Sequence, residues 1–222
     1  MRLNLLGRLA VNTPFRAAVQ RRCVGPALLD LGAGASGCRV LDLGCGRGID
    51  IEIALESLGA AHVDAVDLDS RMLRRARRRC SDSRVDFLQA DATHLPMRGE
   101  TYDIVLDFGT LYLAEDWPRA IDETLRVLKP GGRFVFEVPS CALTRLRDPF
   151  VTEGSHRSRV PFGRQVVREL EQRGCTVASR RLRLAGTIQL AGDLIGVATK
   201  STSREPQEVG SVLGDGANRS SP

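Results

Sequence analysis

The sequence lacks the clusters of cysteine and histidine from which proteins build zinc sites. Its six cysteines stand apart at positions 23, 38, 45, 80, 141 and 175, none of them in a C-x-x-C pair, and the chain has three histidines. Zinc fingers and ribbons need closely paired ligands, so this spacing excludes that class of protein. We expect no metal site and reduced thiols that pack as small apolar groups.

Long apolar runs are also missing at the start of the chain, where Arg2 and Arg8 interrupt the opening residues. So short a run cannot form the core of a signal peptide or span a membrane, and we expect a cytoplasmic protein without a transmembrane segment. A mitochondrial leader is a second interpretation, because five arginines and no acidic residue precede Asp30. The absence of serine from that stretch argues against a leader.

Neither sign of charge dominates, since 32 Lys and Arg face 27 Asp and Glu and leave a net charge of +5. This excess mildly favours an anionic partner but is too small to indicate nucleic acid. Arginines crowd residues 71–79, yet Met72, Leu73 and Ala76 supply a buried side for a helix there. We interpret the arginines as its solvated face, because no aromatic residues interleave them; contact with phosphate or an anionic membrane is the alternative.

Short apolar runs alternate with amphipathic segments from residue 39 onward, a pattern typical of an α/β domain. Long crossovers imply parallel strands, whereas the short link at 185–187 implies that the last two strands form an antiparallel hairpin. We predict a doubly wound, Rossmann-like, mostly parallel seven-stranded sheet with a C-terminal antiparallel hairpin and helices on both faces. The predicted strands are 40–43, 63–66, 85–88, 102–106, 133–138, 176–184 and 188–199, and the predicted helices are 13–23, 49–58, 70–80, 117–128 and 163–173.

Three segments follow from these predictions: an N-terminal helical cap (1–35), the α/β domain (36–200) and a tail (201–222). The tail is rich in Ser, Gly and polar residues without periodicity. Such a composition cannot bury enough apolar surface to order itself, so we expect disorder there.

Glycines cluster where the first predicted strand meets the first helix of the domain, in Val40–Gly48. Glycine allows a tight turn and a close approach of ligand to backbone, and the helix start offers unpaired N–H groups. Asp67 ends the next strand, where a doubly wound fold places a carboxylate for ribose hydroxyls. The spacing is G-x-G-x-G, with Ile49 where a dinucleotide fingerprint requires its last glycine, so it disfavours an NAD-dependent oxidoreductase.

Five short motifs follow one another in order along the α/β domain. They are LDLGCGRG at 41–48, AVDLD at 65–69, QADA at 89–92, YDIV at 102–105 and LKPGG at 128–132. The chain resembles the class I S-adenosylmethionine-dependent methyltransferases over residues 36–199. It is most similar to their small-molecule branch, the methyltransferase type 11-like proteins that include ubiquinone and menaquinone methyltransferases.

The resemblance implies S-adenosylmethionine as cofactor and assigns its methionine part to the glycine turn. Gly44, Cys45 and Gly46 would line that part, and Asp42 would lie beneath it near the amino group. Asp107, which closes the fourth strand, would face the methionine moiety or the acceptor.

The nucleoside would lie along the next two strands. The resemblance implies that Asp67 holds the ribose hydroxyls, that Leu68 and Met72 contact the adenine, and that Asp91 and Ala92 fix its amino edge. Core packing for Leu68 and Met72 and a turn cap for Asp91 are the structural alternatives.

Methyl transfer from a sulfonium requires in-line placement of the acceptor and removal of its proton, and it needs no protein nucleophile. Candidates for a base or an orienting group are Tyr112, Glu137 and His156. Many relatives carry a pair of histidines near Leu111–Leu113, which this chain lacks. No catalytic base can therefore be transferred from the resemblance.

Other classes of methyltransferase match the residues less well. The segment Asp107–Thr110 does not match the Asn/Asp-Pro-Pro-aromatic motif of nucleic-acid amino methyltransferases. Cytosine methyltransferases use a cysteine nucleophile, and Cys141 stands where some RNA enzymes place one. The second, supporting Pro-Cys after the fourth strand is missing here, so we interpret Cys141 as inert. An RNA or protein methyltransferase and a non-catalytic, cofactor-binding partner subunit stay open as alternatives. The oligomeric state is undetermined.

We expect the acceptor pocket between the N-terminal helix and the segments 108–117 and 140–162. Its residues would be apolar or aromatic, which favours a small apolar or planar acceptor. They are Phe108, Leu111, Tyr112, Leu143, Phe150 and Phe162. Core packing accounts for the same residues nearly as well.

Overall fold

The structure, a computed structural model, describes residue 18 and residues 20–138, 163–181 and 194–202. In this part of the chain seven strands form one sheet. They are β1 (Arg39–Leu43), β2 (His62–Asp67), β3 (Val85–Gln89), β4 (Tyr102–Asp107), β5 (Leu128–Val138), β6 (Thr176–Arg181) and β7 (Leu194–Thr199).

The strand order is β3-β2-β1-β4-β5-β7-β6. The neighbours from β3 to β5 are all parallel, whereas β7 runs antiparallel to both β5 and β6. This confirms the predicted sheet and its antiparallel C-terminal pair. The link expected between the last two strands lies outside the described residues.

Five α-helices have full bounds in the described part of the chain, and all but the first begin where the sequence predicts. They are α1 (Gly25–Asp30), α2 (Ile49–Glu52), α3 (Ser70–Arg79), α4 (Trp117–Val127) and α5 (Gly163–Gln172). A π-helical turn, Ile53–Ser57, continues α2 and completes the predicted helix. None of the described helices is both long enough and apolar enough to span a bilayer.

Alternation of side chains divides the sheet into two apolar faces. On β4, Ile104 and Leu106 belong to one buried cluster and Val105 to the other. Helices α1 to α3 cover the first face, and α4 and α5 cover the second. Helices on both faces are therefore confirmed, and the functional positions lie at the rim of a sheet buried on both sides.

Two segments differ from their sequence-based predictions. The sequence predicts a strand that starts at residue 133, but β5 begins at Leu128. The backbone of Gly131 donates to Lys200, and the N–H of Lys200 donates to Gly132, so the segment stays bonded to the chain beyond β7. The register with β4 shifts between Tyr102 and Ile104, so these residues form an irregularity within the strand.

The N-terminal helix is longer than predicted at its end. Residue 18 is helical, and the π-helical turn Gln20–Val24 and α1 carry the helical structure to Asp30, past the predicted end at Cys23. Pro26 stands two residues after the π-helical turn Gln20–Val24 and lacks the N–H that would donate to a carbonyl earlier in the helix. Residues 1–17 and the tail from 203 lie outside the described part, so the proposed segment boundaries stay predictions.

Candidate cofactor site

The direction of the chain through the sheet locates the candidate site. From β1 the chain moves to β2 and β3, and it then returns to β4 on the other side of β1. In an open parallel sheet the crevice at such a switch point, outside the carboxyl ends of the strands, is where ligands bind. The glycine turn follows β1 there, and Asp107 ends β4 beside it.

The glycine turn is anchored to the end of β2. The N–H groups of Gly44 and Cys45 both donate to the carbonyl of Val66 at 2.8 Å. Gly44, Gly46 and Gly48 have φ angles of 77°, 53° and 82°, in the left-handed region that favours glycine. The turn therefore depends on glycine for its path, as the motif predicted.

Gly44 is also required by a close approach. A Cβ added there would lie 1.7 Å from Oγ1 of Thr110, which donates to the carbonyl of Leu43 at 2.8 Å. The loop after β4 is thereby fastened onto the loop after β1. The sequence does not predict this role of Thr110, because no local pattern links Thr110 to Leu43, which lies far away in the chain.

Asp67 joins the glycine turn to the start of α3. Its Oδ2 accepts from the N–H of Gly46 at 2.9 Å, and its Oδ1 accepts from the N–H of Asp69 at 2.7 Å. Burial raises the pKa of Asp67, although these two hydrogen bonds oppose the rise. The carboxylate is thus held at the carboxyl end of β2, the position at which this fold holds a ribose.

Asp42 is the unusual residue of the site. It is 1% exposed, and neither of its carboxylate oxygens has a hydrogen-bond partner among the described residues. Its pKa is raised well above the ordinary value, chiefly by burial and further by the charges of Asp50, Asp67 and Asp107. An unpaired buried carboxyl group is costly, so this residue fits a site that receives a cation or a hydrogen-bond donor from outside.

Asp107 shapes the loop after β4. It is fully buried, and it accepts hydrogen bonds from the backbone N–H groups of Gly109, Thr110 and Leu111 at 2.9, 2.5 and 3.0 Å. Burial raises its pKa to about 6. The described contacts of this carboxylate are thus to its own loop, so Asp107 positions Thr110 over the glycine turn.

The residues predicted to contact the adenine differ in their exposure to solvent. Leu68 is 44% exposed at the end of β2, whereas Met72 is only 8% exposed on α3. Asp91 accepts from both the N–H and the hydroxyl of Thr93 at 2.8 Å, which is the turn cap that the alternative interpretation expected. Ala92 packs against the second apolar cluster. An exposed leucine beside Asp67 suits contact with a flat ring.

The three candidate catalytic residues differ in how far the structure describes them. Glu137 is 3% exposed near the end of β5, close enough to Asp107 to raise the pKa of that residue. Tyr112 belongs to a 3-10 turn, Leu111–Leu113, but its side chain is not among the described ones. His156 lies outside the described residues, as do three of the aromatic and apolar positions expected in the acceptor pocket. Phe108 and Leu111 pack in the two apolar clusters.

Two other acidic residues of the site were not predicted. Asp69 caps α3, because its side chain accepts from the N–H of Arg71 at 2.9 Å. Aspartate directly before a helix is a readable signal, so this residue could have been found from sequence. Asp50 acts at a distance, by raising the pKa of Asp42, and no sequence pattern announces that effect.

The fold and this site define a doubly wound protein built to hold a nucleotide-like cofactor. Residues 40–132 match the family described as a methyltransferase domain. A demethylmenaquinone methyltransferase of Clavibacter sepedonicus is 45% identical over 119 residues, which cover 51% of this chain and 47% of that protein. A fatty-acid O-methyltransferase of Mycolicibacterium smegmatis is 33% identical over 104 residues, 47% of this chain and 38% of that protein. The match thus spans less than half the length of either relative.

A solved structure shows the same fold. An S-adenosylmethionine-dependent methyltransferase from Mesorhizobium loti superposes with a TM-score of 0.64 at 22% identity, covering 79% of this chain and 96% of that one. At this identity the superposition shows a shared fold, and the match over residues 40–132 makes the α/β domain similar to methyltransferase domains.

Proposed function

We propose that this protein transfers the methyl group of S-adenosylmethionine to a small-molecule acceptor. The observation that carries the proposal is the buried carboxyl group of Asp42 beside the glycine turn, which has no hydrogen-bond partner among the described residues. The cofactor carries an ammonium and a sulfonium, and both groups suit a site whose nearby carboxylates raise the pKa of Asp42. Asp42 would hold the ammonium, since a charge-assisted hydrogen bond satisfies a buried carboxylate.

The same charges argue against the oxidoreductase alternative. NAD brings two negatively charged phosphates, and Asp42, Asp50 and Asp67 would repel them in a water-poor site. A phosphate-binding turn also uses its free N–H groups, whereas the N–H of Gly46 already donates to Asp67. The geometry therefore supports a cationic ligand over a dinucleotide.

The residues of the chain would place the cofactor and the acceptor in line. Asp67 would accept from the ribose hydroxyls through its remaining lone pairs, and Leu68 would pack against the adenine. When bound, the cofactor supplies the methyl group, which leaves sulfur for a nucleophilic atom of the acceptor. The acceptor loses a proton in the same reaction, and Tyr112, Glu137 and His156 stay the candidate bases.

An apolar or planar acceptor is the finer part of the proposal. Its support is the apolar composition of the segments expected around the pocket, together with the names of the two relatives, one acting on demethylmenaquinone and one on a fatty acid. We also propose that the protein works in the cytoplasm, because the five cysteines of the described part are free thiols, as in a reducing compartment.

Transfer of a labelled methyl group tests the proposal. The full chain is incubated with methyl-labelled S-adenosylmethionine and, separately, a reduced quinone, a long-chain fatty acid and bulk RNA. We expect label in one small molecule and an equal amount of S-adenosylhomocysteine. The Asp67→Ala variant should lose at least about tenfold in transfer, because it removes hydrogen bonds to a charged group, each worth about 1.5–3 kcal/mol.

The matched control is Glu171→Gln, which alters an exposed carboxylate on α5 and should transfer at the wild-type rate. Label in RNA would favour the nucleic-acid alternative. Binding of the cofactor without transfer to any acceptor would favour the partner-subunit alternative and contradict the proposal.

A further inference from the structure

Three side chains converge at the opposite end of β2 from the glycine turn. His62 and Asp64 stand two residues apart on β2 and therefore share one face of the sheet. Asp86 of β3 is the registered partner of Asp64. The sequence concealed this group, because its members are single residues on two separate strands rather than a closely spaced motif.

Two of the three separations between their polar atoms are close to those between ligands around a metal ion. Nε2 of His62 lies 3.2 Å from Oδ2 of Asp86 and 3.5 Å from Oδ1 of Asp64, and the three ligand atoms all lie within 4.8 Å of one another. Tetrahedral zinc with bonds of about 2.0–2.2 Å separates its ligand atoms by about 3.3–3.6 Å. The two separations from His62 need little adjustment to reach this range.

The histidine nitrogen makes no hydrogen bond to any described residue, although two carboxylates flank it. The ring is 31% exposed, yet Nε2 itself is buried from solvent. A histidinium that bridged the carboxylates would direct its N–H at one of the oxygens in good geometry. A buried nitrogen aimed between two carboxylate oxygens without such a bond is instead suited to an ion placed among the three.

Asp64 is held in position by groups outside the triad. Nε and Nη2 of Arg39 both lie 2.8 Å from Oδ2 of Asp64, whose Oδ1 lies 3.5 Å from Nε2 of His62. Asp64 also accepts a hydrogen bond from the side chain of Tyr102. The guanidinium of Arg39 lies over the ring of Tyr102, 5.6 Å from its centroid. Metal-binding carboxylates commonly have such supporting hydrogen bonds, which fix the ligand before the ion arrives.

We propose that His62, Asp64 and Asp86 bind a zinc ion at the edge of the sheet. Imidazole nitrogen and carboxylate oxygen both suit zinc, and the 76% exposure of the Asp86 side chain leaves room for water as the fourth ligand. The ion joins β3, an edge strand of the described sheet, to β2. Asp67 lies five residues along β2 from His62, roughly 16 Å away, so the site is structural and separate from the cofactor turn.

Zinc titration of the chelator-treated, untagged full chain tests the proposal. We expect one zinc ion per chain, and the His62→Gln and Asp86→Asn variants should each bind it more than about tenfold more weakly, since even the loss of a supporting group costs 10–100-fold. Asp86 is exposed, so its variant keeps the test valid if His62→Gln fails to fold. The control is His94→Gln, an exposed histidine of the loop after β3, which should bind zinc as the wild type does.

Cobalt substitution identifies the ligands independently. Cobalt in the triad should give the visible absorption of a nitrogen and oxygen site without the near-ultraviolet band of a cobalt–thiolate bond. Absence of stoichiometric zinc binding, unchanged affinity in both variants, or a thiolate band that marks a cysteine site would each overturn the proposal. The methyl-transfer assay is read separately, so the failure of one proposal leaves the other standing.

Discussion

At the scale of single residues, Gly44 combines a left-handed backbone with a close side-chain contact. Its φ angle is 77°, and a Cβ there would lie 1.7 Å from Oγ1 of Thr110. Gly174 has a φ angle of 78°, but a Cβ there would meet no described atom within 4 Å. Comparing Gly44 with Gly174 therefore separates the free-energy cost of a left-handed backbone from the cost of a steric clash with Thr110.

Gly44→Ala should destabilise the protein more than Gly174→Ala. The shared left-handed backbone costs a non-glycine residue roughly 1–2 kcal/mol. At Gly44 the methyl group must also displace Thr110 and break its hydrogen bond to Leu43, which adds about 1 kcal/mol or more. Urea unfolding of both variants gives the two free energies, and equal losses would show that the contact with Thr110 is unimportant.

At the scale of elements, the short turns between strands and helices connect the cofactor residues to the core. Asp69 caps α3 through the N–H of Arg71, and its own N–H donates to Oδ1 of Asp67. Asp116 caps α4 in a similar way, through the N–H of Arg119 at 3.1 Å. The two caps are alike in chemistry, but only the first adjoins the candidate ribose site.

Asp69→Ala and Asp116→Ala should therefore have similar effects on stability and different effects on cofactor affinity. Loss of an N-cap costs about 1 kcal/mol in either helix. The first variant should also bind S-adenosylmethionine several-fold more weakly, because the start of α3 carries the backbone that orients Asp67. Thermal unfolding and calorimetric titration provide the two measurements. Equal cofactor affinity in both variants would show that the cap of α3 does not contribute to cofactor binding.

Much of the fold could be predicted at this scale, because burial imposes a period on the sequence. The run Val40–Leu43 and the apolar face of residues 72–76 each predicted their element within one or two residues. The continuation of β5 through Pro130–Gly132 was not predicted, since its hydrogen bonds go to Lys200, far away in the chain.

At the scale of the whole molecule, the sheet brings distant residues together in two places. Its carboxyl edge gathers the glycine turn, Asp67 and Asp107, of which the motifs predicted the members but not the contacts. Asp107 was expected to face a ligand, and the structure shows it bonded to its own loop. The triad of His62, Asp64 and Asp86 was not anticipated, because strand register, rather than sequence spacing, brings it together.

Calorimetric titration of wild type and Asp42→Asn with S-adenosylmethionine and NAD shows whether the glycine turn receives a cationic cofactor over Asp42. The substitution keeps the shape of the side chain and removes a carboxyl group whose oxygens have no hydrogen-bond partner in the described part of the chain. The variant should therefore unfold at the same or a higher temperature, yet bind S-adenosylmethionine at least about tenfold more weakly, as the loss of a charge-assisted hydrogen bond requires. NAD should bind neither protein measurably. Equal affinity of the two proteins for S-adenosylmethionine, or preferential binding of NAD, would show that Asp42 does not hold a cationic cofactor at the glycine turn.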